Sequence, residues 1–239
     1  MALPKLETPT YKMKVPSTQE EIKFRPFLVK EEKILLLAQQ EEDESATHQG
    51  VLDLVNACTF GSLGNKNDPM FDIEFAFLKI RQKSISETVE VKMLCPDDGV
   101  TYVDVSVDLE DVAVTMDDKH SKTCKLGKDA NGNEVSMELD YPNVSATLEA
   151  AGKNSVDSIF IIIKNCISSI QFGDDIYNKV DITTAEIEEF IDSLTQDQFA
   201  NLQDFFETMP KLTHDVEVTN PKTGVTSTIH MEGLNDFLS

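Results

Sequence analysis

Several residue sets in this sequence have a type or spacing suited to chemistry, and each falls short of a full site. Cys95-Pro96-Asp97-Asp98-Gly99 resembles one knuckle of a zinc ribbon in which Asp98 stands where the second cysteine belongs. Structural zinc needs four converging thiolates or imidazoles, usually supplied as two close pairs. Cys95, His120 and Cys124 offer three candidate ligands and no second knuckle, so a turn that only resembles a knuckle is the better reading. Asp129-Ala130-Asn131-Gly132-Asn133-Glu134 opens like a calcium loop, with oxygen donors at its first, third and fifth places. It then sets Glu134 where the sharp turn needs glycine, and Asp140 where a bidentate glutamate is usual, and reads instead as a hairpin turn. No Gly-x-Ser-x-Gly elbow, phosphate loop or dinucleotide glycine pattern occurs. His48, His120, His214 and His230 lack metal spacing and are assigned to surface or strand positions. Acidic side chains are abundant, but nothing selects one pair as acid and base, and a solvated acidic face is the simpler account.

The balance of charge narrows the partners. The 239 residues carry a formal net charge of −22, which opposes binding to nucleic acid or to an anionic membrane surface. It suits a chain that stays soluble until it docks on a more basic partner, or one whose charge serves solubility alone. A 40% hydrophobic content is enough for a globular core. The opening MALPKLETPTYKMK has no apolar central run, so no export signal is expected, and Ile159 to Ile163 is too short to cross a bilayer. Cys58, Cys95, Cys124 and Cys166 share no framework spacing and are expected as free thiols.

The elements that would position these side chains are mixed, and an α+β fold is expected. Tyr11 to Val15 and Glu21 to Phe24 alternate across Pro16-Ser17-Thr18-Gln19 and predict a β-hairpin. Pro26 stops the second strand, and a helix follows from near Val29 with Ile34, Leu35, Leu37 and Ala38 as its apolar stripe. The acidic run Gln39 to Ser45 ends that helix. Val51, Leu54, Val55 and Cys58 mark a second helix. A third opens with Asp68 as N-cap and Pro69 at the first helical position. Its face Ile73, Ala76, Phe77 and Ile80 leaves Phe71, Phe75 and Leu78 off the stripe, so it is buried on two sides or docks on a partner.

From Glu87 the period turns to two. Val89, Val91 and Met93, then Val103, Val105 and Val107, then Val112 and Val114, then Lys122 to Leu126 and Glu134 to Leu139 read as strands of a middle antiparallel β module over 86–142. Ser155 to Ile170 is apolar nearly all round and reads as a buried helix, with a buried strand as the alternative. Gln171 to Tyr177 reads as a small hairpin. Thr183 with Glu186, and Thr195 with Gln198, fit capping boxes that open two helices. A hairpin (Asp215 to Thr219, Thr226 to Met231) and a short helix from Leu234 to Leu238 close the chain. Three segments are expected: 1–85, 86–142 and 143–239, the last packed with the first. Cys95-Pro96-Asp97-Asp98-Gly99-Val100-Thr101 and Asn220-Pro221-Lys222-Thr223-Gly224-Val225-Thr226 share x-Pro-x-x-Gly-Val-Thr. Duplication of a hairpin unit and convergent turn chemistry explain this echo equally well.

The string Lys23 to Ala38, KFRPFLVKEEKILLLA, with the hairpin before it and the ending MPKLTHDVEVTNPKTGVTSTIHMEGLNDFLS, resembles the baseplate hub assembly proteins of T4-like contractile-tailed bacteriophages. The resemblance runs over most of the chain and is clearest at its two ends. It implies a non-enzymatic hub subunit or assembly factor without a cofactor, working with other hub or tail proteins in the infected cell's cytoplasm or in the virion baseplate. Self-association is left open. Docking would use edge strands, exposed Phe or Leu and acidic patches. The resemblance assigns no residue roles; Phe24, Arg25, Pro26, Phe27, Lys30, Glu31, Glu32 and Lys33 are the partner-binding candidates because they form its most distinctive corner. Two alternatives belong to other classes: a tail-borne wall-degrading hydrolase, and a metal-dependent binding module on the middle β region.

Overall fold

The structure, a computed structural model, describes residues 7–33, 44–129 and 132–237. The apolar stripe Ile34 to Ala38, most of the acidic run after it, and the end of the last helix at Leu238 lie outside the described residues. The fold is α+β with all strand pairs antiparallel. The chain divides into two compact units, one made of Met1–Thr115 with Lys211–Ser239 and the other of Met116–Pro210.

In the first unit, β1 (Tyr11–Lys14) pairs with β2 (Glu21–Phe24) in the register Tyr11↔Phe24. The two-residue period buries Met13 and Phe24 and leaves Lys12, Lys14 and Glu21 in solvent. A helix begins at residue 29, as the sequence predicts, and is described as far as residue 33. Helix α1 (Glu44–Cys58) starts earlier than its apolar face implies, and that face (Val51, Leu54, Val55, Cys58) is buried. Gly64, at φ +92°, turns the chain back against α1; a Cβ there would lie 2.6 Å from the Asn56 Cβ, so only glycine fits without a backbone shift.

Helix α2 (Met70–Ser84) has Pro69, not Asp68, at its N-cap, without a side-chain cap bond. The Asp68 carboxylate turns backward instead and accepts from the Asn65 backbone N–H at 2.8 Å. Proline brings no N–H of its own, and its carbonyl accepts from Asp72 and Ile73 at the first turn. Burial on two sides is what α2 shows: Phe71 and Leu78 are as enclosed as Ile73, Ala76, Phe77 and Ile80.

The strands of 88–139 are antiparallel as expected, but they are shared among three sheets. β3 (Thr88–Leu94) and β4 (Tyr102–Asp108) form a hairpin, with Val89↔Val107 and Val91↔Val105. β5 (Ala113–Thr115) joins instead the terminal hairpin β10 (Lys211–Thr219) and β11 (Thr226–Glu232), in the order β11-β10-β5. That pairing carries the terminal hairpin into the first unit, so the two units cut across the expected segments 86–142 and 143–239. Only long-range register, such as Leu212↔Val114, decides this, and a local pattern does not report it. A 3-10 turn (Leu234–Phe237) follows β11 and buries Phe237 completely, a contribution of roughly 2–3 kcal/mol.

The second unit is built on a four-stranded sheet in chain order: β6 (Thr123–Lys128), β7 (Glu134–Leu139), β8 (Ile167–Phe172) and β9 (Asp175–Asn178). Helices α3 (Val144–Ala150), α4 (Ser155–Cys166), α5 (Thr184–Asp192) and α6 (Gln196–Thr208) complete it. Met137, Leu139, Ile163, Ile167, Ile170, Ile187, Leu202 and Phe205 belong to one core. Both capping boxes are present, Thr183 with Glu186 and Thr195 with Gln198. The run Ser155 to Ile170, expected as one buried helix, is a helix to Cys166 and a strand from Ile167. Its β-branched end pairs with β7 (Met137↔Ile170), while the helical part buries only Ile163 and Cys166.

Candidate docking surfaces

The corner between β2 and the first helix is held by main-chain bonds that Pro26 forces. With the strand stopped, the Arg25 N–H donates to the Cys58 carbonyl at the end of α1 (3.0 Å), and the Phe27 N–H donates to Ser84 Oγ at the end of α2 (3.0 Å). Arg25 then folds inward: Nη2 meets Glu31 Oε1 at 3.0 Å, Nη1 donates to the Pro26 carbonyl at 2.9 Å, and the two side chains are 13% and 5% exposed. Glu31 Oε2 accepts from the Leu28 N–H at 2.7 Å, and Lys30 Nζ lies 3.2 Å from Oε1. Burial works against the Glu31 carboxylate, but the hydrogen bonds from Arg25, Leu28 and Lys30 outweigh it and leave its pKa below the ordinary value. Of the corner candidates, Phe24, Arg25 and Glu31 therefore face inward and Pro26 and Phe27 are half-buried; Lys30, Glu32 and Lys33 reach solvent, beside exposed Leu28 and Val29.

The two x-Pro-x-x-Gly-Val-Thr turns share one glycine-centred bond, close one residue apart (Cys95 N–H on the Thr101 carbonyl, Asn220 N–H on the Val225 carbonyl), and are locked to each other. Gly99 and Gly224 both have positive φ (65° and 74°), and each donates its N–H to the residue four before it, Cys95 and Asn220. Asn220 is enclosed and donates through Nδ2 to both oxygens of Asp97 (3.0 and 3.1 Å), and Thr223 Oγ1 donates to Asp97 Oδ2 at 2.6 Å. Hydrogen bonds from Thr223 and Asn220 hold the Asp97 carboxyl below its ordinary pKa. The Asp98 carboxyl is lower still, with Thr101 Oγ1 and the N–H groups of Val100 and Thr101 all donating to it. Cys95 thus belongs to a turn, with its N–H bonded to the Thr101 carbonyl at 2.7 Å.

The buried cysteines are poor nucleophiles. Burial pushes the Cys58 and Cys124 thiols up to about 11 and Cys166 up to about 12, so each is a neutral thiol near pH 7. His120 is a correction to the surface assignment. It stacks on Tyr141 and tilts against Phe205 (ring centroids 5.7 and 5.1 Å apart), with Nδ1 3.0 Å from Thr208 Oγ1. Burial and then the Lys122 charge lower its pKa, which keeps the ring neutral. Of the three cysteine and histidine candidates for zinc, Cys95 lies in the first unit and His120 and Cys124 lie in the second. Among the described residues no group of three or more His, Cys, Asp or Glu is arranged to hold a metal. Asp129 is engaged within its own turn, where Oδ1 accepts from the Asn133 N–H at 2.8 Å. Two acids of α2 carry raised pKa values. Burial raises Asp72 against the hydrogen bonds of Ser17, whose N–H and Oγ both donate to its carboxylate. Burial also pushes Glu74 up to about 7, although the Leu234 N–H donates to it at 3.3 Å, and the Glu232 charge adds to the rise. Both acids tie α2 to neighbouring segments.

A surface the sequence did not single out lies on α4. Val156, Ile159 and Phe160 are 60%, 49% and 38% exposed. Beside them a groove of about 350 Å3 is lined by Ser158, Ile159, Ile162, Ile163, Gln203, Phe206 and Glu207. An all-round apolar helix is either buried or sticky, and the sequence pattern by itself reads as burial.

The family model for the T4 bacteriophage base plate protein matches residues 8–239. The chain belongs to that family. No curated protein and no solved structure gives a match. As a baseplate protein it works with other phage baseplate proteins. Among the described residues of this baseplate protein, no helix is long and apolar enough to cross a membrane.

Proposed function

We propose that this protein is a non-enzymatic hub subunit or hub assembly factor that builds the centre of the tail baseplate by docking on other tail proteins in the infected cell. The family match across residues 8–239 carries this reading, because one family covers both compact units. The hub assignment within that family is supported by the resemblance of the corner string and of the chain's ending. Support for a docking role comes from chemistry already spent on architecture: thiols held neutral by burial, and Asp72, Asp97 and Glu31 engaged in tying segments together. The corner presents Leu28, Val29, Lys30, Glu32 and Lys33 to a partner, while the Arg25–Glu31 pair fixes their position from beneath. The hub is first assembled in the cytoplasm on this account, and the chain either stays in the virion or leaves before maturation. A permanent subunit is expected to bury a large apolar interface and a released factor a smaller one. Mass spectrometry of purified virions separates the two: a stoichiometric signal marks a resident subunit, and its absence together with a signal in assembly intermediates marks a released factor. Absence from virions and intermediates alike contradicts both.

A further inference from the structure

Helix α4 exposes apolar side chains beside two helices whose charged residues are purely acidic. Every charged residue of α5 and α6 is Asp or Glu; neither helix contains a lysine or an arginine. Lys164 on α4 is already paired, 3.3 Å from Glu188 and 3.8 Å from Glu149. The α4–α6 groove is floored by Ile159, Ile162, Ile163 and Phe206 and walled by Glu207. On the other side of α4 a second groove of about 430 Å3 sets Asp157, Glu188 and Asp192 around Phe160, together with Lys153 and the already paired Lys164. Phe160 and Phe199 stack at 6.0 Å and hold α4 and α6 together between the two grooves.

An apolar floor with Glu207 at its wall, beside two helices whose charged residues are all acidic, selects by two criteria together. The floor rewards an amphipathic helix that inserts aliphatic residues at i, i+3 or i+4 and i+7. The walls favour lysine or arginine on the flanks of that stripe and oppose acidic flanks. We propose that the α4–α6 groove docks a basic amphipathic helix of another baseplate protein. This proposal rests on the docking role proposed above and gives that role a surface and a partner chemistry.

The test uses the full chain and three labelled synthetic peptides. One carries a leucine stripe flanked by lysines, the second has the same composition scrambled to remove the stripe, and the third keeps the stripe with glutamate flanks. Fluorescence anisotropy is expected to show the first peptide binding at least tenfold more tightly than either control. Binding is expected to weaken several-fold between low and high salt. Ile159→Lys and the exposed Glu207→Lys are each expected to weaken it about tenfold while leaving the unfolding curve in place. Isoleucine methyl shifts are expected at Ile159, Ile162 and Ile163. Equal binding of the striped and scrambled lysine peptides would show charge alone at work and overturn the proposal. So would unchanged binding by both variants, or methyl shifts confined to other sites. Concentration-dependent dimerisation abolished by Ile159→Lys would assign the groove to a second copy instead, also overturning it. If the peptides fail while cross-links to baseplate proteins persist in infected cells, the groove is refuted and the docking role stands. If those cross-links are missing as well, the docking role itself fails.

Discussion

The corner at Arg25 and the outer face of α4 invert the usual placement of charge and grease. At the corner a guanidinium and a carboxylate lie inside, 13% and 5% exposed, and organise three chain segments. On α4 a valine, an isoleucine and a phenylalanine lie outside. A buried ion pair offers little net stability against an apolar replacement, but it is costly to break, because the remaining charge has no water. An exposed apolar face costs little to alter in the free protein and much in a complex. The comparison therefore separates folding from docking: variants of the buried Arg25–Glu31 pair report the first and, on the proposal above, variants on α4 report the second.

The sharpest way to break this comparison is Arg25→Ala. It strands the Glu31 carboxylate among its remaining donors, Leu28 N and Lys30. A loss of about 3–5 kcal/mol in urea unfolding at pH 7 is expected, as for the loss of one partner of a buried pair. A loss under about 1 kcal/mol would mean that the corner is a surface after all.

Next in size is a pH-dependent effect at Glu74. Its carboxyl titrates near 7 in the fold against an ordinary value of 4.5. A raised acid contributes stability below about pH 4.5 that is lost as pH climbs to about 7. Glu74→Gln is therefore expected to match the parent at pH 4.5 and exceed it by up to about 3 kcal/mol at pH 8. Glu31 has the opposite sign: its lowered pKa contributes stability at neutral pH that is lost on acidification. Stability curves of parent and Glu74→Gln across pH 4–8 check both statements, and a constant offset between them would contradict the first.

Smaller effects sharpen the contrast. Asn220→Ala removes the donor to Asp97 from an enclosed site, and about 1–2 kcal/mol of stability is expected to go with it. Thr195→Ala removes an N-cap and should cost about 1 kcal/mol. Ile159→Lys on the open face of α4 should change the stability of the free chain by about 0.5 kcal/mol or less. Thermal melts of these three in one buffer rank them, and an Ile159→Lys loss larger than that of Thr195→Ala would place α4 in the folding core.

Local chemistry was legible in the sequence wherever a few neighbouring residues decide the outcome. Thr183/Glu186 and Thr195/Gln198 set two helix starts through bonds across a single turn, and the Pro26 corner follows from one missing N–H. Long-range pairing was not legible. Val112 and Val114 read as a strand, but nothing near them shows that β5 pairs with β10 a hundred residues on. Helix α3 was not anticipated, although Asn143 marks its start by accepting from the Ala146 N–H at 2.9 Å. The surface was the least legible part. The letters of KFRPFLVKEEK do not say which charges are buried, and Arg25 and Glu31 are inside; the isoleucines of α4 read as buried, yet Ile159 is half exposed. Partner-driven exposure leaves the same hydrophobic letters in a sequence as burial does, so only the packed structure tells them apart.

Chemical cross-linking of assembling tails from infected cells, read by mass spectrometry, tests most directly whether this chain works by docking. The account predicts cross-links from Lys30 or Lys33 at the corner, and from Lys153 beside α4, to other baseplate proteins. A chain recovered only free, with no link to any tail protein at any stage of assembly, would contradict it.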